Sequence, residues 1–400
     1  MTKLGDAASD AGFGGVAAEG VNRITTHAPI HHLKGFPQGI DTTGKGHAMT
    51  IERSDHSTGF VAKEMPPRVI LTSMEWEADG KQHGYLSVPY SSDDSAWGAV
   101  RVPITLIRNG PGPSVLFTGG NHGDEYEGPI ALKKIANQLD AEDFRGSAIL
   151  IPALNPPAVQ AAKRVSPIDG VNMNRAFPGK RTGSVTKMIC HYVATRLLPE
   201  VDAVVDIHSG GKTLQFVPFA AMHYLTNAEQ FEKTREVMRA FDAPISLIIE
   251  ELDTEGMLDG VVEETGKPFI FTELGGGGTA TPETIAIAER GIVNVLRHYG
   301  IYNGAPLAAE AGEHPTTRMM ATPDGKSYTI SDETGLFEML VNIGDTVEEG
   351  QLLARIHSIE KTEIPPSLYY AHRSGTLIGR HYPGLARPGD CLAVIAVDDE

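Results

Sequence analysis

Residues Val115–Glu127 read VLFTGGNHGDEYE, and this stretch predicts both a local fold and a site. Its apolar start is typical of a buried strand, and the glycine pair that follows is typical of a turn. Beyond the turn, His122 and Glu125 have the spacing H-x-x-E, so a helical turn would place imidazole and carboxylate on one face. This pair suits Zn²⁺, which takes three nitrogen or oxygen protein ligands in catalytic sites. Because H-x-x-E is common by chance, the site needs further residues from elsewhere in the chain.

Strands and helices are predicted to alternate around this stretch. Before it, the sequence predicts a hairpin with its turn at Asp79–Gly80, and after it TLQFVPFAAM (213–222) is predicted as one strand. The pattern indicates an α/β fold with a mixed sheet flanked by helices, in which ligands gather at the carboxyl ends of strands. Apolar spacing typical of helices covers 126–139, 182–198, 228–241, 256–265 and 282–299.

The chain divides into three regions that differ in their sequence patterns. Residues 1–65 have little apolar periodicity and are predicted to form an arm or covering segment, and residues 66–306 form the predicted catalytic domain. Residues 307–400 are predicted to form a small all-β domain, since GDTVEEGQLL resembles the signature of biotinyl/lipoyl-like barrel-sandwich domains. The lysine nearest to a carrier position, Lys361, lacks the flanking methionine of those domains. A structural or assembly role is therefore favoured over a carrier role.

Composition excludes several classes of protein. The chain has 400 residues, of which 41% are hydrophobic and 21% charged, as is typical of soluble globular proteins. A formal net charge of −17 argues against nucleic acid or an anionic membrane as partner. Two cysteines indicate a reducing cytoplasm rather than a disulfide framework. We expect a small-molecule substrate and no membrane segment, and the sequence leaves a homo-oligomer open.

The missing parts of the site follow two other apolar strands. His208 ends the run VDAVVDIH and completes a His₂Glu set with His122 and Glu125, provided that Asp206 or a backbone carbonyl orients its second nitrogen. Glu273 follows the apolar run Phe269–Phe271, where partial desolvation raises a carboxyl pKa toward the range of a general base. Three polar side chains at three strand ends favour one shared metal site.

Two arginines are candidates for handling the substrate. Arg164 lies in AAKRVSPID, and Asn174 and Arg175 lie in VNMNRAFPG. One arginine near the metal could stabilise an oxyanion. The second could form a bidentate contact with a carboxylate, a geometry that lysine cannot reproduce.

The segments HGDE, NRAFPG, DIHSGG and TELGG, in this order, resemble the succinylglutamate desuccinylase/aspartoacylase family of the zinc carboxypeptidase superfamily. The resemblance covers about residues 67 to 305. It implies a zinc-carboxypeptidase-like fold with one Zn²⁺ per subunit, held by His122, Glu125 and His208. It also implies that Glu273 is the general base of an amide hydrolysis and that Arg164 assists the oxyanion. By the same resemblance, Asn174 and Arg175 hold the substrate carboxylate.

Longer segments such as GGNHGDEYEGP and TELGGGGTAT resemble one subgroup of that family, which deacetylates N-acetyl-L-2,4-diaminobutyrate in ectoine breakdown. This implies release of acetate and the free amino acid from an N-acyl amino acid. A diaminobutyrate pocket should offer a carboxylate to the substrate ammonium, and Glu250, Glu251, Asp253 and Glu127 are all candidates. The alternatives are an N-acetylaspartate or N-succinylglutamate hydrolase, a zinc carboxypeptidase, and a non-catalytic zinc-binding or carrier protein.

Overall fold

The structure, a computed structural model, describes residues 68–250, 255–311 and 316–399. The predicted arm at 1–65 and two of the acidic candidates, Glu251 and Asp253, lie outside the described residues. Within them, the alternation of strands and helices agrees with the pattern of the sequence.

The strands are β1 (Ile70–Thr72), β2 (Gly80–Pro89), β3 (Ala99–Asn109), β4 (Ser114–Gly119), β5 (Gly146–Ile151), β6 (Ala203–His208), β7 (Leu214–Phe216), β8 (Phe219–His223), β9 (Ile245–Ile249), β10 (Phe269–Glu273), β11 (Arg318–Thr322), β12 (Tyr328–Ile330), β13 (Gly335–Met339), β14 (Thr346–Val347), β15 (Leu352–His357), β16 (Ser367–Tyr370), β17 (Gly375–His381), β18 (Leu385–Ala386) and β19 (Cys391–Asp398).

Helices fill the connections between the strands that carry the site, and short single turns of other helix types occur between them. Asn227 caps one of these helices by accepting hydrogen bonds from the backbone N–H groups of Glu229 and Gln230. Among the residues that the structure describes, no helix is both long enough and apolar enough to cross a membrane. The α-helices are α1 (Glu127–Gln138), α2 (Pro156–Ala161), α3 (Val185–Tyr192), α4 (Ala228–Phe241), α5 (Leu258–Glu263) and α6 (Pro282–His298).

One large mixed sheet runs through the described residues, in the order β1-β2-β3-β5-β4-β6-β10-β8-β9-β11-β19-β17-β14. Strands β5, β4, β6 and β10 are parallel neighbours, so their carboxyl ends meet at one edge. In the register, Glu273 of β10 lies opposite His208 of β6. The mixed α/β fold class that the sequence predicts is confirmed.

Strand β4, with which the stretch Val115–Glu127 begins, is buried on both faces. Val115 and Phe117 belong to the core on one side of the sheet, with helices α1, α4 and α6. Leu116 belongs to the core on the other side, with α3 and α5. Alternating side chains of one strand thus enter two cores, which explains why the run is apolar throughout.

Two elements differ from the sequence prediction. The run TLQFVPFAAM forms two short strands, β7 and β8, because Pro218 between them has no N–H to donate to a ladder. The helix predicted over 182–198 is α-helical only for Val185–Tyr192, and the chain then widens into a π-type turn over Val193–Leu197. Neither difference moves a candidate site residue.

The chain after residue 307 contributes to two sheets. Strands β11, β14, β17 and β19 continue the large sheet, with β11 parallel to β9, while β13, β15, β16 and β18 form a separate four-stranded antiparallel sheet. The sequence predicts an all-β region here, and the strands agree with that. Residues Glu64–Glu400 form one compact unit, so the predicted boundary at 307 stays a prediction.

Candidate metal and catalytic site

Three side chains from two distant parts of the chain converge at the carboxyl ends of β4 and β6. Nδ1 of His122 lies 2.8 Å from Oε1 of Glu125, and Nδ1 of His208 lies 2.8 Å from Oε2 of the same carboxylate. One ligand atom from each of the three residues lies within 4.8 Å of the others, and all three residues are buried. The structure therefore brings together the His₂Glu set that the sequence predicts.

The turn that carries His122 and Glu125 is shaped by Gly123. It is not the helical turn that the spacing suggested, because α1 begins only at Glu127. The backbone N–H of Gly123 donates to the carbonyl of Lys163 at 2.9 Å. A Cβ at Gly123 would lie 1.9 Å from the carbonyl carbon of Ala158, so no larger residue fits between this turn and α2. The close packing of two backbones holds the turn in place.

Each imidazole has an outward partner on its second nitrogen. Nε2 of His208 lies 2.7 Å from Oδ2 of Asp206, and Nε2 of His122 lies 3.1 Å from Oδ1 of Asn172. Both Nδ1 atoms are thereby turned toward Glu125. Metal-binding histidines in proteins are commonly oriented in this way by a carboxylate or carbonyl oxygen. Asp206 is itself fixed, since the Thr118 hydroxyl donates to Oδ1 at 2.7 Å.

The buried carboxylates and imidazoles of this site favour binding of a cation. Burial acts to raise the pKa of Glu125, but the two imidazoles hold it well below its usual range. Burial acts to lower the pKa of His208, yet the carboxylates of Asp206 and Glu125 raise it well above its usual value. Burial lowers the pKa of His122. Buried carboxylates around two inward-facing ring nitrogens form a donor set that fits a divalent ion such as Zn²⁺.

Glu273 lies beside this set at the end of β10. Burial, and then the nearby carboxylate of Glu125, raise its pKa to about 8, although His208 and Arg164 oppose the rise. Its Oε2 is buried and has no hydrogen-bond partner within the described part of the chain. A divalent cation nearby would draw the pKa down toward neutrality, where a general base works best. Without a metal ion, these surroundings favour the protonated form of Glu273.

Arg164 reaches the same carboxylate from the loop after α2. Its guanidinium is half-exposed, and Nη1 lies 3.4 Å from Oε1 of Glu125. This contact places a fixed positive charge at the rim of the candidate metal site, where an acyl oxygen would gain negative charge. The position is compatible with the oxyanion role that the sequence implies.

Asn174 and Arg175 lie on the short 3₁₀ turn Met173–Arg175, which Asn172 caps. The Asn174 Oδ1 accepts from the backbone N–H of Leu258 at 3.2 Å and from Nδ2 of Asn121 at 3.3 Å. Both contacts fix the orientation of the Asn174 amide. Nη1 of Arg175 donates to the carbonyl of Asn174 at 2.7 Å, which fixes one side of the guanidinium.

Most of these groups, though not Glu125 or Asn172, border one cavity of about 590 Å³, the size of a small-molecule site. Many of the lining side chains are apolar, and some of them come from the C-terminal strands. The lining includes His122, Arg164, Asn174, Arg175, His208, Phe216, Phe219, Asp259, Phe269, Phe271, Glu273, Tyr328, Ile378 and Val394.

Sequence reasoning missed several residues of the site. Asn172 orients His122 and caps the Asn174 turn, and its place two residues before Asn174 in VNMNR was the available signal. Asn121, next to His122, donates to Asp206 at 3.0 Å. Asp259 had no motif around it, and the cavity wall supplied by residues after 307 depends on strand pairing that no local pattern shows.

The chain is similar to proteins of known family. Residues 111–299 match the model of the succinylglutamate desuccinylase/aspartoacylase catalytic domain. The N-alpha-acetyl-L-2,4-diaminobutyric acid deacetylase of Halomonas elongata is 47% identical over 330 residues, which cover 82% of this chain and 95% of that protein.

Two solved structures have a similar fold. The product-bound ectoine utilization protein EutE (DoeB) from Ruegeria pomeroyi is 46% identical, with a TM-score of 0.79, over 83% of this chain and 100% of that one. A succinylglutamate desuccinylase/aspartoacylase from Rhodobacter sphaeroides is 37% identical, with a TM-score of 0.78, over 83% of this chain and 99% of that one.

Proposed function

This chain belongs to the succinylglutamate desuccinylase/aspartoacylase family, and from that membership and its site we propose that it is a zinc-dependent deacetylase of Nα-acetyl-L-2,4-diaminobutyrate. The family makes it a hydrolase that acts on N-acyl amino acids. The observation that carries the zinc proposal is the convergence of His122, Glu125 and His208 beside Glu273. The substrate proposal is supported by the 47% identity to the Halomonas elongata deacetylase.

His122, Glu125 and His208 would hold the Zn²⁺ through the two Nδ1 atoms and the carboxylate. When bound, the ion supplies a Lewis acid that polarises the acyl carbonyl and lowers the pKa of water. Asp206 and Asn172 keep the two rings turned inward throughout.

Glu273 performs the proton transfers in this proposal. It takes a proton from the attacking water as the new C–O bond forms at the acetyl carbon. It then gives that proton to the amide nitrogen as the C–N bond breaks, so acetate and the free amine leave. Arg164 donates to the acyl oxygen while that oxygen is negatively charged. No covalent bond to the chain is needed.

Asn174 and Arg175 are proposed to bind the α-carboxylate of the substrate. The Asn174 amide N–H and the free edge of the Arg175 guanidinium offer donors to the two carboxylate oxygens. Binding at this point orients the acetyl group toward the metal site and Glu273. The location of the protein in the cell and its oligomeric state stay predictions.

A substrate panel tests the proposal. Acetate or succinate release would be measured from Nα-acetyl-L-2,4-diaminobutyrate, N-acetylaspartate and N-succinylglutamate, with the protein as purified, after chelation, and after Zn²⁺ is restored. We expect the first substrate to be preferred, its hydrolysis to stop on chelation, and Zn²⁺ to restore it. Undiminished hydrolysis by metal-free protein would contradict the zinc proposal, and preference for an acidic side chain would contradict the substrate.

A further inference from the structure

A buried carboxylate lies in the cavity wall apart from the groups described above. Asp259 lines the cavity and is only 3% exposed. It lies in the first turn of α5, and its Oδ1 accepts from the backbone N–H of Gly260 at 2.5 Å. Proton transfer and metal binding, as proposed, make no use of it.

The segment that carries Asp259 is bound directly to the proposed carboxylate-binding turn. The backbone N–H of Leu258, its immediate neighbour, donates to Oδ1 of Asn174 at 3.2 Å. The backbone N–H of Phe177 donates to the carbonyl of Gly256 at 2.9 Å. One backbone–side-chain bond and one backbone–backbone bond therefore hold the segment of Asp259 against the segment of Asn174 and Arg175. The two groups can act on opposite charges of one small ligand.

A second carboxylate lies near Asp259, on the other nitrogen of a shared imidazole. Nε2 of His223 lies 3.9 Å from Oδ2 of Asp259, and Nδ1 of the same ring lies 3.0 Å from Oε1 of Glu263, so two carboxylates flank one imidazole. The ring of Phe271, which also lines the cavity, lies 5.7 Å from that imidazole between centroids. Apolar walls reduce screening, and a charge interaction is stronger there than at the surface.

We infer that Asp259 binds the side-chain ammonium of the substrate and so selects N-acetyl diamino acids with a short cationic side chain. This inference rests on the proposed function, because it takes the α-carboxylate to lie on Asn174 and Arg175 and the acetyl group beside Glu273. The ammonium of 2,4-diaminobutyrate lies two methylene groups from Cα, so it must meet a third wall of the cavity. Asp259 is a buried carboxylate of the cavity lining that takes no part in the proposed metal site.

Other carboxylates fit this role less well. Glu250 lines the cavity but is exposed, so water and salt screen its charge. Glu127 is buried, but its Oε1 accepts from the Thr284 hydroxyl at 3.3 Å, on the side of α6. Glu250 therefore serves as the matched comparison, since it borders the same cavity.

The experiment compares a cationic substrate with a neutral one of the same shape. The value of kcat/KM would be measured for Nα-acetyl-L-2,4-diaminobutyrate and Nα-acetyl-L-norvaline with the wild type, Asp259→Asn and Glu250→Gln. We expect the ratio of the two values to fall about 100-fold in Asp259→Asn, because a charge-assisted contact is lost. The ratio should change by less than about threefold in Glu250→Gln, as is usual for exposed charges.

Several outcomes would overturn the inference. One is an unchanged ratio in Asp259→Asn, and another is an equal fall in Glu250→Gln. Equal kcat/KM values for both substrates in the wild type would overturn it even if Asp259→Asn failed to fold, and the proposed deacetylase function would stand. If the wild type hydrolysed neither compound, the proposed function would fail instead. Calorimetric binding of L-2,4-diaminobutyrate and L-norvaline to the wild type and to Asp259→Asn would then decide: equal affinities in the wild type would reject the ammonium site.

Discussion

At the scale of single residues, each of the two candidate zinc-binding imidazoles is oriented by a contact on its second nitrogen. Asp206 is central among these contacts, because it meets Nε2 of His208 at 2.7 Å and is itself held by Thr118 and Asn121. Burial acts to raise the pKa of Asp206, but His208 holds it below its usual value, so the group stays ionised. An ionised Asp206 fixes the ring with Nδ1 facing the metal site.

Asp206→Asn should weaken zinc binding about 10- to 100-fold, because the amide is uncharged and orients His208 less firmly. The measurement is a zinc affinity determined by competition with a chromophoric chelator. Asp202→Asn is the control, since Asp202 lies just before the same strand, at the end away from His208, and accepts from the backbone N–H of Ser114. An affinity equal to that of the wild type in Asp206→Asn would show that the contact has no orienting role.

At the scale of elements, the H-x-x-E turn depends on its contact with α2. Backbone atoms of Ala158 and Val159 occupy the space where a side chain at Gly123 would lie. Since both sides of this contact are backbone, no change of side-chain rotamer can relieve a clash. The two helices that flank the turn, α1 and α2, must therefore keep their spacing for His122 and Glu125 to meet.

Gly123→Ala should lower the free energy of unfolding by about 1–3 kcal/mol or more, as overpacking does, and should also reduce zinc content. Thermal unfolding and metal analysis of the purified variant check both effects. Gly325→Ala is the control, because a Cβ there meets nothing within 4 Å and the residue is far along the chain. A Gly123→Ala protein with the stability and zinc content of the wild type would mean that the turn can shift freely.

Most elements around the site were predictable because their signals are local. The helix 228–241 was predicted with the bounds that the structure has, and Glu273, His208 and His122 were found because each follows an apolar run. The pairing of β7 with β17, which places Phe216 opposite Gly379, joins residues far apart in sequence and leaves no local pattern. Asp259, at the start of a six-residue helix, was missed because no local pattern shows that it lines the cavity.

At the scale of the whole molecule, the cavity is closed by two distant parts of the chain. Phe216, Phe219 and Leu247 pack against Ile378 and Val394 in one apolar cluster. These last two residues come from β17 and β19, beyond the predicted domain boundary. The substrate cavity therefore needs residues from both sides of that boundary, and a separate catalytic domain ending at 306 would have an open wall.

A chain that ends at residue 306 should lose cooperative folding and deacetylase activity. It would expose the edge of β9, which pairs with β11 from Arg318 to Thr322, together with the apolar cluster around Phe219. Size-exclusion chromatography and thermal unfolding of the truncated protein measure this. A monodisperse truncated protein with the kcat/KM of the full chain would instead make 307–400 an independent domain, as the sequence suggested.

The account depends most on Glu273 acting as the base beside a zinc ion that it does not bind. The direct test is Glu273→Gln, with zinc content and kcat for Nα-acetyl-L-2,4-diaminobutyrate measured on the same preparation. We expect one zinc ion per chain, as in the wild type, and a kcat lower by about 10²- to 10⁴-fold, since proton transfer is lost while the metal site is kept. A variant with full zinc and a near-native kcat would contradict the mechanism.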